Sequence, residues 1–324
     1  MKKTLALVLL FSLLLTLCAC GKEPAPDNST APDNSSAASS IGETSLPASD
    51  PGGNPISVPE TIESVIVLAP SIAETLVALG QGSKIIGYDL YSVGIEGLPT
   101  DVPTFDTVNP DVEQLLALAP DVLLVSSLSL YDQEAPYQPL ISAGICVICV
   151  PTSDSIADVK HDIRFLADVF RAPEAGENVL SALETELDRL ATIAATIPDD
   201  ERKSVYFEIS AAPYLYTSGS GTYLNEMIEW IGAKNVFANQ KDWLSVEAET
   251  VVKANPDVIF TNVNYLDDPV QEILSRDGWA GVTAIANGDV YCIDNASSSL
   301  PNQNIVVAMR QMAEALYPDY FGEA

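Results

Sequence analysis

Two copies of one segment restrict the fold of this chain more than any other feature. The segment EQLLALAPDVLLV begins at Glu113 and the segment ETVVKANPDVIFT begins at Glu249, an offset of 249 − 113 = 136 residues. The Pro-Asp pair inside each copy keeps that offset, because 256 − 120 is also 136. An amphipathic helix, Pro-Asp and a buried strand in both places predict two halves built on one plan.

Short apolar strands alternate with amphipathic helices around each copy. Strands are predicted in SVIVLAP, SKIIGYD, DVLLVSS and GICVICVP, and then in SVYFEIS, KNVFAN, DVIFTNV and GDVYCID. This alternation is typical of βαβ units, so the predicted fold is α/β, with two Rossmann-like lobes on parallel sheets. Residues 173–198 carry apolar side chains at helical spacing and predict one long, rigid helix of about 30–36 Å between the lobes.

The N-terminal sequence predicts export. The run MKKTLALVLLFSLLLTLCACG has two lysines, an apolar stretch and small residues, as a secretory signal does. Its end resembles the bacterial lipobox, which implies that Cys20 is lipidated and becomes the mature N-terminus; an ordinary signal cleaved nearby is the alternative. The following stretch is rich in Pro, Ser, Asn and Asp and predicts a disordered tether. The predicted organisation is a signal peptide over 1–19, a tether over 20–58, an N-terminal lobe over 59–172, a connecting helix over 173–198 and a C-terminal lobe over 199–324.

Composition excludes several classes of function. Against 45 Asp and Glu there are only 15 Lys and Arg, a net charge of −30, which disfavours any nucleic-acid partner. The single histidine, His161, is expected on a helix surface and cannot build a site that needs several imidazoles. Cys146 and Cys149 lie three apart in one apolar strand, so they are expected on opposite faces and not as a redox pair. We expect no catalytic residue, resident metal or cofactor.

The local sequence resembles a known family. The segments SVIVLAPSIAETLVALG, KIIGYDLYS and NPDVEQLLALAPDVLLV, together with LYTSGSGTYLNEMIEWIGAKNVFA, are similar to signatures of the solute-binding proteins of ABC importers for ferric siderophores, haem and cobalamin. The resemblance covers residues from about 60 to 320. It implies a monomeric binding protein, not an enzyme, that captures a small-molecule chelate between its lobes. Its partners would be an ABC permease dimer with its ATPase subunits. With Cys20, the resemblance implies a location on the extracytoplasmic face of the cell membrane, attached through the lipid alone.

Two glutamates are the candidate permease-docking residues. In the family, one glutamate on each lobe docks onto permease arginines, and these positions fall on Glu113 and Glu249, the pair that the repeat relates. Asn109 and Ser245 are the predicted helix N-caps, which place both glutamates in a first helical turn. The helix dipole favours a carboxylate there in any protein, so a purely structural role is the alternative.

Aromatic residues follow several predicted strands, where α/β lobes bind their ligands. The candidate ligand-binding residues are Tyr88, Tyr91, Phe105, Tyr131, Tyr214, Tyr216, Trp243 and Tyr265. They favour a broad, partly apolar ligand, and the resemblance implies that Trp243 lies where a cobalamin-binding member has a tryptophan. The only nearby cations, Lys241, Arg276 and Arg310, are too few for an anionic ferric catecholate. The expected order is corrinoid, then neutral or hydroxamate-type ferric siderophore, then haem.

Two other classes of function stay open. A secreted hydrolase is one, since the loop SGSG from Ser218 to Gly221 superficially resembles a phosphate-binding loop, although it lacks the Lys-Ser/Thr of a P-loop. A surface adhesion module is the other, and it would show no saturable binding of a small ligand.

Overall fold

Strands and helices alternate along both halves of the chain, in a computed structural model that describes residues 46–127 and 136–322. The strands are β1 Val65–Val67, β2 Ile85–Asp89, β3 Thr104–Phe105, β4 Val122–Val125, β5 Cys146–Cys149, β6 Ser204–Glu208, β7 Tyr216–Ser218, β8 Lys234–Asn235, β9 Trp243–Ser245, β10 Val258–Thr261 and β11 Val290–Cys292. The helices are α1 Pro70–Ala78, α2 Val112–Leu118, α3 Gln138–Ser142, α4 Ile156–Val169, α5 Pro173–Ala194, α6 Tyr223–Trp230, α7 Ala248–Ala254, α8 Pro269–Leu274, α9 Thr283–Asn287, α10 Asn295–Ser299, α11 Ile305–Leu316 and α12 Pro318–Phe321.

Each half contributes one parallel sheet, which confirms the predicted α/β fold. The first sheet has the order β3-β2-β1-β4-β5 and the second has the order β11-β10-β6-β8. Every pairing within these two sheets is parallel. The second half adds an antiparallel ribbon of β7 and β9. Helices cover both faces, so the strands are almost continuously apolar and buried.

The duplication seen in the sequence is also structural. Helices α2 and α7 span equivalent residues, since 112 + 136 = 248 and 118 + 136 = 254. Both end in a left-handed residue, Ala119 with φ 44° and Asn255 with φ 49°. The two halves therefore share their connection into the central strands β4 and β10.

The predicted helix N-caps are wrong by two residues in both halves. The backbone N–H of Asn109 donates to the carboxylate of Asp106, so the chain is still turning there. The cap of α2 is Asp111, whose carboxylate accepts from the amide three residues later. In the other half Ser245 ends strand β9, and the residue before α7 is Glu247, without a side-chain cap.

Helix α5 connects the two halves. Its 22 residues correspond to about 33 Å at 1.5 Å per residue, within the predicted length. The helix ends at Ala194 and the chain turns before Pro198, slightly earlier than predicted. The apolar face of α5, including Leu183 and Leu187, lies in one core cluster with residues of α4 and of the second sheet. Such packing along its length keeps the connection stiff.

Part of the predicted tether is folded. Within residues 46–58, Asp50 is buried and its carboxylate accepts a hydrogen bond of 2.8 Å from the backbone N–H of Cys149 on edge strand β5. Ile56 and Val58 pack against the core of the first sheet. The prediction of a tether to residue 58 is therefore corrected, because a run of polar and small residues here finds its bonding partners on a sheet edge. Cys20 lies outside the described residues.

The expectation for the cysteine pair is confirmed. Cys146 belongs to the core cluster on one face of the first sheet, and Cys149 belongs to the cluster on the other face. Burial raises the pKa of both thiols, that of Cys149 to about 11. Within the described residues no helix is long and apolar enough to cross a membrane.

Candidate ligand-binding cleft

A cleft of about 1050 Å³ is lined by residues from both halves of the chain. The first half contributes the loop after β1, helix α1, the loop after β2 and the segment after β3. The second half contributes helix α10 and the segment that follows it. The cleft thus lies at the carboxyl ends of strands, where α/β lobes hold their ligands.

The lining is apolar on one side and polar on the other. An apolar rim on the first half consists of Tyr91, Val93 and Val108, whose side chains are all at least half exposed. The second half contributes mainly neutral polar side chains, Asn264, Asn295, Ser299, Gln303 and Asn304. The cleft can therefore cover a broad apolar surface while hydrogen bonding to groups at its edge.

The charged side chains that line the cleft, among the described residues, are the carboxylates of Glu74 and Glu96. The three cations that the sequence predicted near the cleft, Lys241, Arg276 and Arg310, do not line it. Arg276 donates to both carboxylate oxygens of buried Glu208, at 2.6 and 2.7 Å. Arg310 pairs with Glu186, and Lys241 is exposed outside the cleft. An anionic ligand would meet negative charge here and, among the described lining residues, no compensating cation.

The aromatic candidates of the first half separate into two groups. Tyr91 lines the cleft and is 79% exposed. Tyr88 and Phe105 are buried in the core instead, at 5% and 2% exposure, so they do not reach the cleft. The hydroxyl of Tyr88 donates to the carbonyl of Pro99 at 3.1 Å, which satisfies its one polar atom. Both residues lie near strand ends, as predicted, but in the paired strands their side chains point into the core. Tyr131 lies outside the described residues.

The aromatic candidates of the second half are not among the residues that line the cleft. Tyr214 is exposed, and the hydroxyl of Tyr265 accepts from the backbone N–H of Ala211 at 2.9 Å, so these rings share one loop region. Tyr216 belongs to β7, in the antiparallel ribbon. Trp243 is half-buried on β9, with its ring 5.6 Å from that of Tyr223.

The position of Tyr91 is set by Asp89 at the end of β2. The carboxylate of Asp89 accepts from the backbone N–H of Tyr91 at 2.8 Å and from the hydroxyl of Ser92 at 2.5 Å. Burial raises the pKa of Asp89, although these hydrogen bonds oppose the shift. The exposed ring is thus carried by a turn whose two ends, Asp89 and Ser92, are buried.

The glycine-rich loop SGSG has a structural role. The backbone N–H groups of Gly219 and Ser220 donate to the carbonyls of Asp242 and Gln240, each at 2.8 Å. A Cβ atom on Gly219 would lie 2.4 Å from the Gln240 carbonyl oxygen, so only glycine allows this approach. Since these amides are already used, the loop offers no cradle for a phosphate.

Sequence reasoning missed the polar side of the cleft. The segment NASSSLPNQN, residues 295–304, supplies much of it. The sequence did contain a signal, because an uncharged polar run begins three residues after the end of β11, at the strand end where ligands bind. The described residues contain no group of three His, Cys, Asp or Glu side chains placed to hold a metal ion.

Glu113 and Glu249 occupy the same position in α2 and α7, the second residue of each helix. Both are exposed, and neither carboxylate accepts a hydrogen bond or forms an ion pair within the described part of the chain. Their charges are therefore available to a partner.

The family model for periplasmic binding proteins matches residues 65–296, more than half of the chain. The chain belongs to the periplasmic binding protein family.

Several periplasmic binding proteins are similar along most of the chain. The uncharacterized ABC transporter substrate-binding lipoprotein YvrC of Bacillus subtilis is 30% identical over 277 residues, covering 85% of this chain and 86% of YvrC. A cobalamin-binding protein of Halobacterium salinarum is 25% identical over 285 residues, covering 84% and 75% of the two chains. The structure of molybdate-bound MolA of Haemophilus influenzae superposes with a TM-score of 0.72 at 25% identity, covering 84% of this chain and 91% of MolA.

Proposed function

We propose that this periplasmic binding protein is the substrate-binding subunit of an ABC importer and that it captures a corrinoid, such as cobalamin. The observation that carries the proposal is the cleft: large, apolar on one rim, neutral and polar on the other, and without a lining cation among the described residues. Its volume of about 1050 Å³ is at the upper end of the range for small-molecule sites, which suits a macrocycle better than a small ion.

Thr107 gives independent support for a ligand in this cleft. It lines the cleft and is 5% exposed, and its hydroxyl has no hydrogen-bond partner within the described residues. A buried hydroxyl without a partner is unfavourable by about 1–3 kcal/mol, so a bound molecule that supplies one is favoured.

The same features rank the other ligands. A neutral ferric hydroxamate fits the charge of the cleft and is the second candidate. Haem needs an axial ligand, and Tyr91 is the one tyrosine among the described lining residues, while His161 is exposed on α4 away from the cleft. A small oxyanion would leave most of the cleft unfilled and would face Glu74 and Glu96.

Delivery to the permease is proposed to use Glu113 and Glu249. Two exposed carboxylates on equivalent helices match a permease dimer that presents related arginines at two sites. Lipidation at Cys20 would retain the protein at the extracytoplasmic face of the membrane, as expected from the N-terminal sequence. The protein acts by binding and release, so its ligand should be recovered chemically unchanged, unlike the substrate of a hydrolase.

Calorimetric titration tests the ligand directly. The mature chain carrying Cys20→Ala, which prevents lipidation, is titrated with cyanocobalamin, ferrioxamine and haemin. Saturable 1:1 binding of cyanocobalamin alone supports the proposal. Binding of haemin alone, or of none of the three, would refute the corrinoid assignment.

A further inference from the structure

A carboxylate on one wall of the cleft is held by the opposite half of the chain. Glu74, on helix α1, is half-buried and lines the cleft. The side-chain amides of Asn302 and Asn304 both donate to its Oε2 atom, at 2.7 and 2.9 Å. Asn302 is itself 2% exposed, so this contact is shielded from bulk water.

Neighbouring contacts fix the helix that carries Glu74. The hydroxyl of Thr75 lies 3.1 Å from the side-chain oxygen of Gln303, in the same segment as the two asparagines. Elsewhere between the halves, the backbone N–H of Ile156 at the start of α4 donates to the carboxylate of Glu226 on α6, at 2.8 Å. Helix α1 is therefore joined to the same segment of the second half that supplies the two asparagines.

Among the described residues, the hydrogen bonds to the Glu74 carboxylate all go to one of its oxygens, Oε2. Its Oε1 atom has no hydrogen-bond partner within residues 46–127 and 136–322, although the side chain borders a cleft wide enough for a ligand. A fixed carboxylate oxygen of this kind binds an N–H donor more strongly than a neutral acceptor does. It repels a ligand carboxylate, and the repulsion is little screened because the site is partly buried.

We propose that Glu74 is a specificity-determining residue, which accepts a hydrogen bond from an amide N–H of the ligand and selects against ligands that carry a carboxylate in that position. This inference rests on the proposed function, since a corrinoid bears primary amides around its ring whereas haem bears carboxylates. Asn302 and Asn304 orient the Glu74 carboxylate, and its Oε1 atom accepts the hydrogen bond from the ligand.

The test compares cyanocobalamin with its monocarboxylate derivatives, in each of which one side-chain amide is hydrolysed. Each compound is titrated into the mature Cys20→Ala chain, alone and with Glu74→Gln, Glu74→Asp or Glu177→Gln. In Glu74→Gln the single amide oxygen still accepts from the asparagines, so an NH₂ group replaces the acceptor in the cleft. Glu177 is exposed on α5, outside the cleft, and is the matched control.

The chain with native Glu74 should bind at least one monocarboxylate about tenfold more weakly than cyanocobalamin. Glu74→Gln should reduce that ratio about tenfold, by weakening cyanocobalamin and strengthening the carboxylate. Glu74→Asp should keep the preference for the amide, and Glu177→Gln should leave both affinities unchanged. Melting temperatures show that each variant is folded.

Two other results would contradict this inference. If Glu74→Gln weakens all the compounds equally, Glu74 acts only by joining the two halves, and this inference is wrong while the proposed function stands. If the chain with native Glu74 binds none of the corrinoids, the proposed function fails and the inference fails with it.

Discussion

Asp121 and Asp257 accept the same two hydrogen bonds from a serine in the two halves of the molecule. The Oδ2 atom of Asp121 accepts from the backbone N–H and the hydroxyl of Ser64, at 2.9 and 3.0 Å. The Oδ2 atom of Asp257 accepts from the same two groups of Ser204, at 2.8 and 2.7 Å. Each pair joins the start of the first strand of its sheet to the start of the neighbouring central strand, so the Pro-Asp repeat marks a strand-aligning contact.

Replacing either aspartate should destabilise its own sheet. We expect Asp121→Ala and Asp257→Ala each to lower the free energy of unfolding by about 1–2 kcal/mol, because a backbone N–H loses its partner. Urea denaturation measures this, and a double-mutant cycle with Ser64→Ala should show coupling with Asp121 and none with Asp257. Equal coupling of Ser64 with both aspartates would contradict the assignment.

The contribution of Asp121 to the free energy of unfolding should depend on pH. The hydrogen bond from the backbone N–H of Glu63 is the largest cause that lowers the pKa of this carboxyl below 3.8, and the hydrogen bonds from Ser64 lower it further. Since the folded state holds the carboxylate form, the stabilisation is present above pH 3.8 and is lost as the pH falls through the lowered value. The difference in the free energy of unfolding between the native chain and Asp121→Asn, measured by urea denaturation, should therefore be smaller at pH 3 than at pH 7. A difference that stays constant from pH 7 to pH 3 would argue against an ionised acceptor.

Replacing Tyr91 by alanine should affect ligand binding, whereas replacing Phe105 by alanine should affect stability. Tyr91→Ala should weaken cyanocobalamin binding about tenfold and change the free energy of unfolding by less than about 0.5 kcal/mol, because the ring is exposed in the cleft. Phe105→Ala should destabilise the fold by about 3–5 kcal/mol, because the ring is buried. Titration of both folded variants, at a temperature well below melting, separates the two roles. Full affinity in Tyr91→Ala would exclude Tyr91 from the ligand site.

The docking proposal predicts a loss of transport without a loss of binding. Glu113→Ala combined with Glu249→Ala should abolish uptake of labelled cyanocobalamin in cells that carry the cognate permease, while the purified protein keeps its affinity. Each exposed ion pair contributes only about 0.2–1 kcal/mol, so the effect should come mainly from lost register with the permease and be larger for the pair than for either change. The control is Glu177→Ala with Glu229→Ala, two exposed glutamates on α5 and α6. Normal uptake in the double docking variant would disprove this role.

Asp162 should make the protein less stable as the pH rises towards neutral. Burial raises its pKa to about 6, against an opposing hydrogen bond of 2.7 Å from Ser153, beside a small cavity next to the cleft. The folded state therefore binds this proton more tightly than the unfolded state, and stability falls as the pH rises from about 4 to about 6. Asp162→Asn should raise the free energy of unfolding by about 1–2 kcal/mol at pH 7.5 and by about half as much at pH 5.

Denaturation curves at the two pH values check this, with exposed Asp188→Asn as the control. An equal effect of Asp162→Asn at pH 5 and pH 7.5 would show that charge burial is not the cause.

Periodicity in the sequence predicted the features that depend on local pattern. The 136-residue repeat gave equivalent helices α2 and α7, and the spacing of Cys146 and Cys149 gave their opposite faces. Both follow from the geometry of single strands and helices, which neighbouring sequence determines.

Features that depend on contacts between distant residues could not be predicted in this way. Asn109 resembles a helix cap, but its backbone N–H donates to the carboxylate of Asp106 in a turn, and α2 begins only after Asp111. Glu74 meets its asparagines 228 and 230 residues later, so no local pattern indicates the contact. The orientation of Tyr88 likewise depends on the pairing of β2 with its neighbours.

The contact between Asp50 and strand β5 also bears on how the protein behaves at high surface density. β5 is the outermost strand of its sheet, and an uncovered outermost strand can pair with the same strand of another molecule. Molecules confined to a membrane, as proposed here, meet one another far more often than in solution. Because the segment around Asp50 contacts this strand, we expect it to oppose such pairing, and shortening of the tether should be tolerated only up to the point where that contact is lost.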